Sequence, residues 1–284
     1  MYKIISKRYL NKAETTMEMV VEAPLVARKC KAGQFIIFRL DEFGERVPLT
    51  IADYDRANGT VTIMFQPAGR STKMLAELDA GEYILDFAGP LGKATEVEGL
   101  KRVAVLGGGV GCAIAYPVAK AMHENGVEVD MIAGFRTEEI VILEEEMKKC
   151  CTNLYITTDD GSYGEAGFVT DKLKSLIEAG REYDEVFAIG PAMMMKFACL
   201  TTKPYGIKTI ASLNPIMIDG TGMCGGCRVT VGGKTMFACV DGPEFDGHEV
   251  DWDELIRRNA FYKEDETRET EHECHLVGGA RYYV

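Results

Sequence analysis

The sequence predicts an antiparallel β-barrel followed by an open parallel α/β sheet, with a cysteine-bearing loop after the sheet. Three observations predict it. Short strand-like runs divided by turn residues fill the chain to about residue 98. From about residue 100, apolar strands alternate with helical stretches. Beyond 213 the chain turns glycine-rich around three cysteines. The division is therefore residues 1–98, residues 99–212, a loop segment 213–247, and a C-terminal helix and tail 248–284.

In the first part, MEMVVEAP, QFIIFRL, TVTIMFQPA and EYILDFAGP are the strand-like runs. Short strands without long intervening helices indicate a small antiparallel barrel. One helical stretch, STKMLAEL, follows Gly69–Arg70. In the second part, KRVAVLGGGVG is a buried strand ending in glycines, and AIAYPVAKAMHENG is a helix. EVDMIAGF, NLYITTDD and EVFAIGP are further strands. EEIVILEEEMKKC, VTDKLKSLIEA and PAMMMKFACLTTKPYG are the helices between and after them. KTIASL follows. In the third part, VTVGGKTMFA forms a hairpin turning at Gly232–Gly233, and DWDELIRRN forms a short helix. The tail from 261 is charged and ends in Tyr282–Tyr283.

Composition narrows the function. The 284 residues allow two modest domains, and 46% hydrophobic with 27% charged content is that of a globular protein. A formal net charge of −12 argues against nucleic acid or an anionic membrane as partner. No apolar run reaches the roughly 20 residues a bilayer span needs, and MYKIISKRYL lacks a signal-peptide core. Nine cysteines fit a reducing compartment, so the expected location is cytoplasmic. Cys30, Cys112, Cys150, Cys151, Cys199 and Cys274 are read as packing residues or idle thiols.

Cys224, Cys227 and Cys239 carry more information. With Asp219 they give D-x4-C-x2-C-x11-C. This is the spacing of a plant-type [2Fe–2S] site with an oxygen donor in place of the first thiolate. Gly220, Gly222, Gly225 and Gly226 would let the backbone wrap closely and aim N–H groups at cluster sulfurs. A structural zinc site and a redox CxxC are the alternatives, and an Asx turn is the alternative role for Asp219.

Gly107, Gly108, Gly109, Val110 and Gly111 follow a strand and open a helix. Glycines there permit a tight turn and close approach to a dinucleotide pyrophosphate, which a helix N-terminus favours. Cys112 stands where the fingerprint's last glycine would be. Gly190–Pro191 and the Asp159–Ser162 turn also end strands of this sheet and are expected to line the same crevice.

The whole chain to about residue 260 resembles the ferredoxin-reductase superfamily, in which a flavin-binding barrel precedes a nicotinamide-nucleotide domain. Arg46-Val47-Pro48-Leu49-Thr50 resembles its R-x-P-x-[ST] flavin motif, and Gly69-Arg70-Ser71-Thr72-Lys73-Met74-Leu75 its flavin-pyrophosphate segment. GGGVGCAIAYP and the cysteine loop resemble those of dihydroorotate dehydrogenase electron-transfer subunits, which usually supply four cysteines. Asp219 and the runs GFRTEEIVILEEE, TDDGSYGEAG and SLNPIMIDGTGMCGGCR are more similar to the small subunits of NADH-dependent reduced ferredoxin:NADP⁺ oxidoreductases, often labelled sulfide dehydrogenase subunits.

The resemblance implies roles. Arg46 would contact the flavin phosphates and Thr50 the flavin ring edge, while Ser71 and Thr72 would hold the pyrophosphate. Arg136 would meet the adenosine half of NAD(H), and Asp159 and Gly190 its nicotinamide end. It further implies electron flow from NADH through FAD to a [2Fe–2S] cluster. The electrons would then pass to a larger glutamate-synthase-like FAD and [4Fe–4S] subunit, which handles ferredoxin by electron bifurcation. The rival readings are an electron-transfer subunit of dihydroorotate dehydrogenase and a non-catalytic redox sensor.

Overall fold

The computed structural model describes residues 1–261, so Cys274 and the Tyr282–Tyr283 ending lie outside the described residues. The N-terminal sheet consists of β1 (Tyr2–Tyr9), β2 (Met17–Glu22), β3 (Phe35–Arg39), β4 (Val47–Asp55), β5 (Thr60–Phe65), β6 (Tyr83–Ile84) and β7 (Asp86–Leu91). Helices α1 (Pro24–Ala27) and α2 (Arg70–Glu77) interrupt it. The order is β6-β1-β2-β5-β4-β3-β7, with every pairing antiparallel. β6 and β7 stand at opposite ends of that order, yet only Leu85 separates them in the chain. One run of backbone therefore pairs with both ends, and the sheet curls into the barrel that the sequence predicts.

The strand pleat sorts the barrel side chains. Ile36, Phe38, Leu49, Ile51, Ile63 and Phe87 pack in the interior. Phe35 and Ile37 point outward instead and join the core that contains Cys227 and Cys239. Ala52 also points outward and joins the core around α3 of the second domain. A bulge between Ile51 and Asp53 makes this possible. The extra residue turns both Ala52 and Asp53 outward, where Lys120 Nζ meets both Asp53 oxygens at 2.9 Å.

The second domain runs β8 (Arg102–Gly108), α3 (Gly111–Glu124), β9 (Glu128–Phe135), α4 (Glu144–Lys149), β10 (Asn153–Thr158), β11 (Glu165–Ala166), α5 (Val169–Glu178), β12 (Glu185–Ile189), α6 (Ala192–Thr202) and β13 (Lys208–Ser212). A hairpin of β14 (Arg228–Val231) and β15 (Lys234–Phe237), then α7 (Ala238–Asp241), β16 (Glu244–Asp246) and α8 (Trp252–Asn259) complete it. The sheet order is β11-β10-β9-β8-β12-β13-β16, parallel except for β16. The direction of winding reverses between β8 and β12, and ligands of such sheets bind at that switch point. Among the described residues no helix is long and apolar enough to cross a membrane.

The predicted helix over EEIVILEEEMKKC is shorter than expected. Glu138–Ile140 form a 3₁₀ turn, and α4 begins only at Glu144. Ile142 and Leu143 between them are 2% and 4% exposed, so burial of this apolar pair overrides helix propensity. Cys30, Cys112, Cys150, Cys151 and Cys199 are buried free thiols.

Two contacts clamp the parts together. Gly220, with φ +78°, lies against the barrel, and a Cβ there would fall 2.6 Å from Leu91 Cδ1 and 2.9 Å from Ile37 Cδ1. On another side, Thr95 Oγ1 donates to Glu244 Oε1 at 2.8 Å, joining the barrel's exit loop to β16. Burial pushes the Glu244 carboxyl up to about 7, and the nearby charges of Glu185 and Glu96 add to the rise.

Two predictions follow from these contacts. Gly220→Ala should lower stability by about 1–3 kcal/mol in urea unfolding, through left-handed strain and overpacking. A carboxyl raised in the fold contributes stability that is full below its ordinary range and fades as pH rises through about 7. Glu244→Gln, which still accepts from Thr95, should therefore melt higher than the wild type above pH 7, with a ceiling of about 3 kcal/mol. The gap should close near pH 4, where both side chains are neutral; parallel melting curves from pH 4 to 8 would contradict this.

Candidate functional site

The site is built on the outer face of β3 and β4. Alternation along β4 turns Leu49 and Ile51 inward, so Pro48 and Thr50 face outward with Ala52, toward the second domain. Arg46 is exposed just before β4 and donates from Nε to Ile218 O at 2.8 Å, which ties it to the cysteine segment. Gly69 precedes α2, and a Cβ there would meet open space. Arg70, Ser71 and Thr72 form the first turn of α2. Thr72 Oγ1 accepts from the Ala68 and Gly69 N–H groups, each at 3.1 Å. Ser71 Oγ donates to Glu45 Oε2 at 2.6 Å. The structure thus joins the two predicted flavin segments through Glu45, a residue the motifs did not single out.

The glycine loop lies at the switch point. Gly107 and Gly108 end β8, Val110 is the N-cap of α3 with no side-chain capping bond, and Gly111 opens the helix. A Cβ on Gly111 would lie 2.6 Å from Ile189 O, so only glycine allows α3 to start so close to β12. Gly109 has φ +57° and open space where a Cβ would be. The loop is therefore open on one side and tightly seated on the other, as close backbone approach to a phosphate requires. Gly190 and Pro191 pack across it, since a Gly190 Cβ would lie 3.2 Å from Gly108 N. Cys112 is fully buried, and burial pushes its thiol up, which suits a packing residue.

The structure does not bring Asp159 to Gly190. Asp159 follows β10, on the far side of β9, whereas Gly190 follows β12. Asp159 instead stands beside Arg136. Asp159 N donates to Phe135 O at 3.0 Å, and Asp160 N to Arg136 O at 3.3 Å. Both Arg136 and Asp159 are exposed. The Ser162 hydroxyl and N–H hold the Asp160 carboxyl below its usual range.

The cysteine segment falls into two pairs. Cys227 and Cys239 are 1% and 2% exposed, with sulfurs 3.2 Å apart. Burial, with Cys227 alongside, pushes the Cys239 thiol up to about 12. Cys224 is exposed, and its Sγ accepts from Gly226 N at 3.4 Å. Asp219 accepts from Thr221 N at 2.8 Å and from Cys224 N at 2.7 Å, and these bonds hold its carboxyl below the usual range. Among the described residues no three His, Cys, Asp or Glu side chains converge on one point as a metal site. The Asp219 carboxylate serves its own loop, as an Asx turn would. Arg258 Nη2 donates to Gly226 O at 3.1 Å and fixes the segment to α8. The β14–β15 hairpin turns at Gly232 and Gly233, both with positive φ.

Comparison with known proteins agrees with this arrangement. The oxidoreductase NAD-binding domain matches residues 105–200, and the iron–sulfur cluster binding domain of dihydroorotate dehydrogenase B matches residues 214–251. The chain is 54% identical to a Clostridium beijerinckii protein known from the adh 3′ region, over 94% of this chain and 92% of that one. It is 45% identical to the Thermotoga maritima homologue of the dihydroorotate dehydrogenase B (NAD(+)) electron transfer subunit, over 89% of each. A solved structure of NADH-dependent reduced ferredoxin-NADP oxidoreductase, studied for flavin-based electron bifurcation, matches with TM-score 0.90 and 41% identity. That match covers 96% of this chain and 98% of the other. With barrel, nucleotide sheet and cysteine segment all accounted for, the chain belongs to the dihydroorotate dehydrogenase B electron-transfer subunit family, as a ferredoxin-NADP reductase-type oxidoreductase subunit that works within a complex.

Proposed function

We propose that this chain carries FAD and a [2Fe–2S] cluster and passes electrons between NAD(H) and a larger glutamate-synthase-like FAD and [4Fe–4S] subunit. The complex would be an electron-bifurcating NADH-dependent ferredoxin:NADP⁺ oxidoreductase. One observation carries the reading. The outward face of β3–β4 is covered on one side by α3, behind the glycine loop, and on the other by the cysteine segment. A flavin on that face would lie between a two-electron donor and a one-electron acceptor. Nicotinamide supplies a hydride, a flavin can take the pair and release electrons singly, and a [2Fe–2S] cluster takes one.

The residues present fit these groups. Ser71, Thr72 and the start of α2, with Arg46 nearby, suit a flavin pyrophosphate. Pro48, Leu49 and Thr50 would border the flavin, with the Thr50 hydroxyl offered to its ring edge, and Gly69 and Arg70 would flank its phosphates. Gly107 to Gly111 would cradle the nicotinamide nucleotide, with Gly190 and Pro191 at its nicotinamide end. Arg136 would lie toward the adenosine. Asp159 is reassigned to that same end, beside Arg136, because of its strand. With Asp160 it makes that end acidic, which favours an unphosphorylated ribose and so NAD over NADP.

Asp219, Cys224, Cys227 and Cys239 would hold the cluster. Their donor set is three thiolates and one carboxylate, and the pairing of Asp219 with Cys224 and of Cys227 with Cys239 suits two irons. The low carboxyl of Asp219 means that it is already ionised, as ligation requires.

The dihydroorotate dehydrogenase partnership is the second reading, supported by the Thermotoga maritima relative. Recovery of the native partner from cells separates the two: a glutamate-synthase-like subunit supports the bifurcating complex, and a dihydroorotate dehydrogenase overturns it. Added NADH should bleach the flavin rapidly, and an EPR signal of a reduced [2Fe–2S] cluster should follow. Zinc without acid-labile sulfide would eliminate the cluster. Asp219→Cys should lower the cluster potential and alter its EPR spectrum, because thiolate donates more strongly than carboxylate. An unchanged spectrum and midpoint would count against Asp219 as ligand.

A further inference from the structure

The loop between β3 and β4 is engaged at both of its last two residues. Ser71 is 8% exposed and gives its one hydroxyl proton to Glu45 Oε2 at 2.6 Å. Ser71 belongs to the first turn of the eight-residue α2, where the helix dipole favours an anion. The Glu45 carboxylate is that anion here. The next residue, Arg46, donates to Ile218 O, immediately before Asp219. N-terminal to the pair, Asp41 holds a tight turn by accepting from Phe43 N at 2.8 Å and Gly44 N at 3.2 Å. C-terminal to it, β4 begins at Val47. Glu45 and Arg46 are thus an exposed two-residue lever between a fixed turn and a fixed strand.

We propose that Glu45 is a built-in competitor for the flavin pyrophosphate and that the Glu45–Arg46 lever couples flavin loading to the cysteine segment. This rests on the flavin reading above. Ser71 has one proton to donate and cannot serve two anions. A phosphate at the start of α2 would also place like charges within hydrogen-bond distance of one hydroxyl, which is repulsive. Glu45 can leave easily, because water solvates an exposed carboxylate once it turns outward. Arg46 moves with it, toward the incoming negative charge and away from Ile218. The cysteine segment then loses the one side-chain bond that Arg46 gives it. Flavin occupancy is in this way sensed at Ile218, one residue from Asp219 and six from Cys224, without any group crossing the core.

The test uses the full-length chain, stripped of flavin and titrated with FAD. Glu45→Gln keeps an acceptor for Ser71 without the charge, and Glu45→Ala removes both. Each should bind FAD about tenfold more tightly than the wild type at low salt, with the gap closing as salt rises. Hydrogen exchange of residues 214–224 in the wild type should change when FAD is added. If the wild type binds FAD as tightly as both variants, or more tightly, the competitor is overturned while the flavin reading stands. FAD binding with unchanged exchange in 214–224 overturns the coupling. A wild type that binds no FAD overturns the flavin reading, and the competitor with it.

Discussion

The outward burial of β3 and β4 is the constraint on which the rest depends. A barrel strand buries one face in its own interior, and its other face must meet water or another element. Here the outer face carries Phe35, Ile37 and Ala52, whose burial is favourable only if something covers them. Two different parts of the chain do so. α3 covers Ala52, and the segment carrying Cys227 and Cys239 covers Phe35 and Ile37. The same apolar contacts that stabilise the barrel thereby set the distance between the glycine loop and the cysteines. Lys120 on Asp53 and Thr95 on Glu244 orient those contacts rather than drive them.

Much of this was legible in the sequence, and for identifiable reasons. The parallel sheet could be read because its strands are continuous apolar runs separated by amphipathic helices, a pattern with little ambiguity. The glycine loop and the cysteine spacing were legible because phosphate approach and cluster ligation restrict residue type at fixed intervals. The barrel's β1 and β4 lack a clear strand pattern. YKIISKRY alternates with charge, and VPLTIADYD carries a proline and a bulge that break its period. Other features depend on pairing between distant segments. Asp159 looked as close to the crevice as Gly190 did, and only strand order separates them. Glu45 had no motif to mark it, because its significance comes from Ser71, twenty-six residues away.

The cysteine segment shows how one loop can satisfy two demands. Its glycines and Asp219 form turns stabilised by local hydrogen bonds, so the segment has a defined path of its own. Of its cysteines, Cys227 and Cys239 lie together in the core and Cys224 stands at the surface. Burial raises the cost of ionising Cys239, and a metal cation would remove that cost by compensating the charge. Metal loading and thiol ionisation are thus linked, with the fold setting the energy that links them.

The single run from Tyr83 to Leu91 has a consequence for the chain's behaviour in solution. It brings the two ends of the first sheet together, leaving part of β1 and the outer side of β7 beyond the pairing. The second sheet finishes in strands of two and three residues, too short to template another molecule. A polypeptide whose cofactors and partner arrive after synthesis spends time without them. The blunted margins of the second sheet limit edge-to-edge pairing by that waiting chain, so the short β11 and β16 serve proteostasis as well as architecture.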